Sequence, residues 1–145
     1  MAEIFSVTVE EIIKQLNMEI IYAPENISSL VVTENDCNRP GLQLMGFYEY
    51  FNAERVQICG NMEFAYLASL DEKTRYERID ALFATKIPLF IVARGHELYP
   101  EMVEIAKKYG VPIARTQDST TAFIAALIGY LNCLLYTSPS PRDCS

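Results

Sequence analysis

Three runs decide the fold: Arg55-Val56-Gln57-Ile58-Cys59, Ile87-Pro88-Leu89-Phe90-Ile91-Val92-Ala93 and Val111-Pro112-Ile113-Ala114. The second is apolar from end to end, and a strand of that kind is buried on both faces, as in parallel sheets covered by helices. Helix-length segments separate the runs. Gly60 closes the first, Asn61 is expected to cap a helix reaching about Leu70, and Asp71 opens a second helix to about Phe83. Pro100 stands where a first helical turn tolerates a missing N–H, and Glu101–Tyr109 ends at Gly110, a usual helix stop. After the third run, Asp118 or Ser119 is expected to cap a last helix through about Leu134. Strands alternating with helices at these lengths predict an α/β fold: a single domain with a mainly parallel sheet flanked by helices.

Working outward, Ile4–Val7 favours a short strand, and Thr8-Val-Glu-Glu11 has the capping-box spacing for a helix over 9–17. Val9, Ile12, Ile13 and Leu16 recur at the spacing of one buried face. Met18–Tyr22 and Leu30–Thr33 read as two strands with a turn between them. The last helix is apolar all round (Ala122 to Ile128, Tyr130, Leu131), so its second face is either buried within this domain or docked on a further domain or subunit. From Leu134 to Ser145 the composition shifts to turn-formers without apolar period; the tail 134–145 is expected to be disordered and looks like a translated sequencing adapter, leaving 1–133 as the domain.

The chain has 145 residues, half of them hydrophobic, enough for one core-forming domain. Its formal charge of −7 argues against nucleic acid, whose phosphates demand a basic patch. Cys37, Cys59, Cys133 and Cys144 form no CxxC, and His96 is the sole histidine, so neither a zinc site nor a redox pair is supported. Met1–Phe5 carries no secretory signal, and Ala122–Tyr136 falls short of the ~20 residues that cross a bilayer. A cytoplasmic protein without membrane contact is expected.

Gly41-Leu-Gln-Leu-Met-Gly46 has the glycine spacing of a phosphate-binding loop, but Phe47 and Tyr48 follow it in place of a lysine and a hydroxyl. No GxGxxG occurs, and His96, in Arg94-Gly-His-Glu97, reads as an exposed loop histidine. Ligands of open α/β sheets gather at the carboxyl ends of the strands. There the pattern places Gly60-Asn61, Arg94-Gly95, and Arg115-Thr116 followed by Ser119-Thr120-Thr121 at a helix start. Arg94, Arg115, Thr116, Ser119 and Thr120 could together hold a small anion or a nucleotide. Alternatively the arginines pair with local carboxylates such as Glu97 and Asp118, and Asp118 or Ser119 merely caps the helix. The acidic pairs Glu10-Glu11, Asp71-Glu72 and Glu101/Glu104 sit at helix starts, where they complement the dipole. Around the Pro40-Gly41 turn, Phe47, Tyr48, Tyr50 and Phe51 form an aromatic plug, read chiefly as core and otherwise as a binding surface.

The runs Asn38-Arg39-Pro40-Gly41-Leu42, Gly46-Phe47, Ala53-Glu54-Arg55-Val56-Gln57-Ile58 and Gly60 resemble the N-terminal domain of HPr kinase/phosphorylase, most closely its clostridial versions. Pro88–Arg94, Ala106–Pro112, Arg115-Thr116 and Thr120-Thr121 with Tyr130-Leu131-Asn132 extend the resemblance over residues 4–133, and within it Asn38, Arg39, Pro40, Gly41 and Arg55 are read as structural. The resemblance implies a bifunctional enzyme of carbon catabolite repression: a hexamer that phosphorylates a seryl residue of the phosphocarrier HPr with ATP or pyrophosphate and Mg²⁺, and reverses this by phosphorolysis. It also implies a fold similar to the nucleotide-binding domain of peptidoglycan (Mur) ligases. In that family the nucleotide loop and catalytic residues lie in a C-terminal domain beyond Asn132, so no catalytic residue is carried over and this chain is expected to be inactive.

Overall fold

The computed structural model describes residues 6–135. In chain order these form β1 (Val7–Thr8), α1 (Val9–Gln15), β2 (Glu19–Tyr22), β3 (Val31–Val32), β4 (Cys37–Asn38), α2 (Gly41–Leu44), β5 (Val56–Cys59), α3 (Asn61–Ala68), α4 (Glu72–Ala84), β6 (Phe90–Val92), α5 (Pro100–Tyr109), β7 (Ile113–Arg115) and α6 (Thr120–Leu135). The main sheet runs β2-β7-β6-β5-β4. β4 to β7 are mutually parallel, and β2 joins the far edge antiparallel to β7. The expected α/β class with a mainly parallel sheet is the one observed.

Alternate side chains of the three central strands point to opposite faces, and each face is covered. On one, Val56, Ile58, Leu89, Ile91 and Ala114 pack with Val9, Ile12 and Ile13 of α1 and with Phe123, Leu127 and Leu131 of α6. On the other, Cys59, Phe90, Val92 and Ile113 meet α3, α4 and α5 through residues such as Leu67, Phe83 and Ile105. The helix following β5 therefore leaves the sheet on one side, and the helix following β7 leaves it on the other.

Several boundaries follow the local signals. Thr8 Oγ1 accepts from Glu11 N at 3.1 Å, Asp71 caps α4, Pro100 is the first residue of α5, and Gly110 ends it at φ +71°. One helix boundary needs correction. Asn61 is the first helical residue of α3 and Gly60 is its cap. The strands expected over Met18–Tyr22 and Leu30–Thr33 do form, but they part company: β3 pairs antiparallel with β1 in a separate two-stranded ribbon, while β2 joins the main sheet. Of the first strand expected over 4–7, Ile4 and Phe5 lie outside the described residues, as does the expected tail from Tyr136 on, while Leu134 and Leu135, placed in that tail by their sequence, belong to α6.

Although α6 is apolar over most of its length, the domain buries Thr120 and the apolar stripe Phe123, Leu127, Leu131; Ala122, Ala125, Ala126 and Gly129 on the opposite face are exposed. Small residues limit the apolar area left open there. Among the described residues no helix is long and apolar enough to cross a membrane.

Removing side-chain volume from the stripe leaves a cavity between α6 and the sheet. Leu127→Ala is expected to cost about 3 kcal/mol, whereas Ala126→Ser on the exposed face should stay within about 0.5 kcal/mol; equilibrium urea unfolding of the two variants checks the difference.

Candidate functional site at the carboxyl ends of the strands

β4 delivers Asn38 and Arg39 to the carboxyl edge of the sheet. Asn38 Nδ2 donates to Gln57 Oε1 at 2.7 Å and to Gln43 Oε1 at 3.0 Å, while Gln57 Nε2 donates to Arg55 O at 2.9 Å. The fully buried Gln57 amide on β5 is thereby satisfied on both sides. Next to it, Arg39 Nη2 donates to Glu63 Oε1 at 2.9 Å, and Gly60 N donates to the same oxygen at 2.8 Å. Glu63 is 5% exposed, so its charge depends on this arginine, the Gly60 N–H and the positive end of α3.

Pro40 precedes α2, and Gly41 opens it. Gly46, at φ +99°, ends it: Gly46 N donates to Gln43 O and Phe47 N to Leu42 O, both at 2.9 Å, the paired bonds of a glycine-terminated helix. The glycine spacing noted in the sequence is thus a helix with its stop, and it does not fit a triphosphate. Of the aromatic plug, the half-buried Phe51 packs against the core and meets Tyr48 edge-on at 5.5 Å. Phe47 and Tyr50 are 48% and 95% exposed, so the expectation of a core plug holds for only part of it.

The five anion candidates separate. Arg115 donates from Nε and Nη2 to the Glu19 carboxylate, both at 3.0 Å, and from Nη1 to His96 O at 3.2 Å. Its partner is therefore Glu19 on β2, in place of Glu97 or Asp118. Thr116 is buried; its N–H donates to Val92 O, its carbonyl accepts from Gly95 N, and its Oγ1 accepts from Asp118 N. Ser119 Oγ accepts from Ala122 N at 3.2 Å, so Ser119 caps α6. Arg94, at φ +57°, is tied through its own N–H to Asp118 O, and its exposed guanidinium has no partner among the described residues. Thr120 is 5% exposed, and its Oγ1 occupies the point where a β-carbon on Gly60 would stand. Arg55, from the family-like run, lies 3.8 Å from Asp36 and buries an unpartnered Nε.

His96 is packed instead of free in its loop. Its ring stacks on Phe64 with centroids 4.7 Å apart, and Nε2 lies 2.6 Å from Asn61 Oδ1. Nothing in the sequence pattern singles out Glu63 or Gln57 as a polar centre of this edge. A glutamate three residues after the cap at Gly60 is the one local clue to the first. A separate depression of about 580 Å³, lined by Asn26, Val31, Lys86 and Pro88 among others, lies at the opposite, amino ends of the strands. Among the described residues no three His, Cys, Asp or Glu side chains converge as a metal site would require.

Two outcomes follow from this geometry. Arg39→Met strands the buried carboxylate and is expected to cost about 2 kcal/mol, reduced from the fully buried case because the arginine is partly exposed. Glu63→Gln should cost less, and the double variant should recover most of the Arg39→Met loss in a urea double-mutant cycle. Burial pushes the Cys59 thiol well up, with Glu63 acting in the same direction, and burial with the Asp36 charge pushes Cys37 up to about 11. At pH 8 both thiols should alkylate with iodoacetamide far more slowly in the native protein than in urea. The Cys37 rate should rise as pH climbs toward that value, because only the thiolate attacks.

Residues 7–131 match the family model described as the N terminus of HPr serine kinase. The HPr kinase/phosphorylase of Alkaliphilus metalliredigens is 44% identical over 126 residues, covering 87% of this chain and 40% of that protein. The corresponding protein of Caldicellulosiruptor bescii is 43% identical, covering 88% and 41%, and that of Streptococcus thermophilus is 33% identical, covering 90% and 42%. The chain thus spans about two fifths of the length of these curated relatives. Among solved structures, the CBS and DRTGG domains of the regulatory region of a Clostridium perfringens pyrophosphatase, complexed with the activator diadenosine tetraphosphate, superpose with a TM-score of 0.58. That match has 21% identity, covers 83% of this chain and 45% of the other, and concerns the fold alone. By the match of its residues 7–131, the chain belongs to the family of HPr serine kinase N-terminal domains.

Proposed function

We propose that this chain is the amino-terminal, non-catalytic portion of an HPr kinase/phosphorylase, serving regulation and assembly of the whole enzyme. In that enzyme a phosphoryl group passes from ATP or pyrophosphate, with Mg²⁺, to a seryl hydroxyl of HPr, and phosphorolysis removes it. The observation that carries this reading is the match of residues 7–131 to the family, at two fifths of the length of relatives bearing that name. The helical state of Gly41–Leu44, with Gly46 as its stop, supports the non-catalytic assignment, because no backbone cradle for a triphosphate is left in that run. Hexameric assembly and a place in carbon catabolite repression belong to the same proposal.

A small-anion role at the strand ends is a second reading. Arg115, Thr116 and Ser119 are already engaged there, but the exposed Arg94 guanidinium has no partner among the described residues, and that observation favours it.

Purified chain incubated with HPr, ATP and Mg²⁺ should yield no seryl phosphate by mass spectrometry, while the full-length relative yields it under the same conditions. Turnover by the chain alone would overturn the non-catalytic assignment.

A further inference from the structure

The main sheet ends at β2, which pairs with β7 on one side only. In an antiparallel pair, half of a strand's backbone N–H and C=O groups face its neighbour and half face away. Those that β2 turns outward meet no partner among the described residues. Such an edge is a template for another strand. Of the usual protections β2 has one, a bulge between Ile20 and Tyr22; its sequence Glu19-Ile-Ile-Tyr22 contains neither lysine nor proline. Ile21 and Tyr22 pack against the core on the α5 side of the sheet. Ile20, opposite Ala114 and therefore on the α1 side, is 52% exposed.

The second observation lies directly beside this edge. α1 and β2 enclose a groove of about 500 Å³, floored by Ile13, Met18 and Ile20 and rimmed by Glu10, Glu11 and Lys14. Its volume is in the ordinary range of binding sites. A groove between an edge strand and a helix is the geometry in which extended peptides are captured by strand addition: main-chain hydrogen bonds give affinity, and alternate side chains entering the groove give selectivity. The three charged side chains at the rim are exposed and form no ion pair among the described residues. Two of them are carboxylates, on a chain of net charge −7, so the groove favours a basic occupant. A second copy of the chain fits less well. Pairing β2 with itself about a two-fold axis sets both α1 helices on the same face, acidic rim toward acidic rim.

We propose that the open edge of β2 and the groove beside it dock an extended peptide segment of a partner protein. The segment adds a sixth strand to the main sheet, seats an apolar side chain on Ile13, Met18 and Ile20, and places a basic side chain against Glu10 or Glu11. Side chains two positions apart on a strand share a face, so its apolar and basic residues are two apart. This edge lies across the whole sheet from β4 and Arg39, and docking here does not depend on phosphoryl transfer.

The probe is the blocked heptapeptide acetyl-Thr-Lys-Thr-Val-Thr-Lys-Thr-amide, whose lysines flank the valine on one face in either strand direction. Titrated into the whole ¹⁵N-labelled chain, it should give saturable ¹⁵N–¹H shifts centred on residues 10–22 and slow the exchange of β2 amides. The same peptide methylated at every backbone nitrogen has no N–H to donate and should not bind. A version with glutamate in place of lysine should bind about tenfold more weakly. Ile20→Thr should weaken binding about tenfold through loss of an apolar contact, whereas Ile20→Val should retain it; because Ile20 is half exposed, both variants should unfold in urea as cooperatively as the parent. Absence of saturable shifts in residues 10–22, equal binding by the methylated or the glutamate peptide, or an Ile20→Thr variant that binds as the parent does would each overturn the inference. Shifts of the same amides on raising the concentration of the chain alone, with dimer formation in sedimentation, would overturn it in favour of a second copy.

Discussion

β6 has no polar face. Phe90 and Val92 point to one side, Ile91 with the flanking Leu89 and Ala93 to the other, and all five are at most 1% exposed. A strand of this kind demands a helical layer on each face, each buried apolar side chain contributing about 1.5–3 kcal/mol only if water is excluded from both. The chain meets that demand asymmetrically. α3, α4 and α5 supply one layer from the crossovers between parallel strands, whereas α1 and α6 supply the other from outside them. The consequence is a divergence at the carboxyl end, where the helix after β5 and the helix after β7 start side by side and then cover opposite faces of the sheet.

That divergence also explains the polar network there. Two helix starts and four parallel strand ends leave donors and acceptors that the ladder cannot pair. The loop after β6 solves part of this by folding against the loop after β7: Arg94 N bonds Asp118 O, Gly95 N bonds Thr116 O, and Thr116 N bonds Val92 O. Left-handed Arg94 and Gly95 make the tight turn that this requires. At the other side of the same edge, Glu63 reaches back to Gly60 N, and Arg39 neutralises it. Arg115 then ties the antiparallel edge strand to this end through Glu19, with its third donor on His96 O.

The sequence made the short-range features legible, because their causes are short-range. Asp71 as a cap, Pro100 as a first helical residue and Gly110 as a stop depend on neighbours within one turn, and each stands as expected. The runs around Val56, Ile91 and Ile113 announce burial on both faces without reference to any partner. What escaped depends on residues far apart in the chain. Glu19 is the partner of Arg115 across the β2–β7 pairing, and no local pattern prefers it over Glu97 or Asp118. β3 turns to β1 because residues 9–30 bring the chain back to Thr8, a closure that periodicity does not encode. The packing of His96 is hidden for the same reason: Asn61 and Phe64, which hold it, sit on a helix remote in sequence.

The polar residues among those that carry the family resemblance include Asn38 and Arg39, Arg94, Arg115-Thr116 and Thr120-Thr121, which with Gly60 are scattered along the chain. In the folded chain they are not scattered. Asn38 bonds the buried Gln57, Arg39 and Thr120 converge on Gly60, and Arg94 and Thr116 bind the two loops that close the adjacent strand ends. Core packing alone asks for apolar side chains of suitable volume. Hydrogen-bonding geometry at one end of the sheet is thus what these polar residues have in common, a demand distinct from the exclusion of water that the buried runs Val56–Ile58 and Leu89–Ala93 of the same resemblance meet.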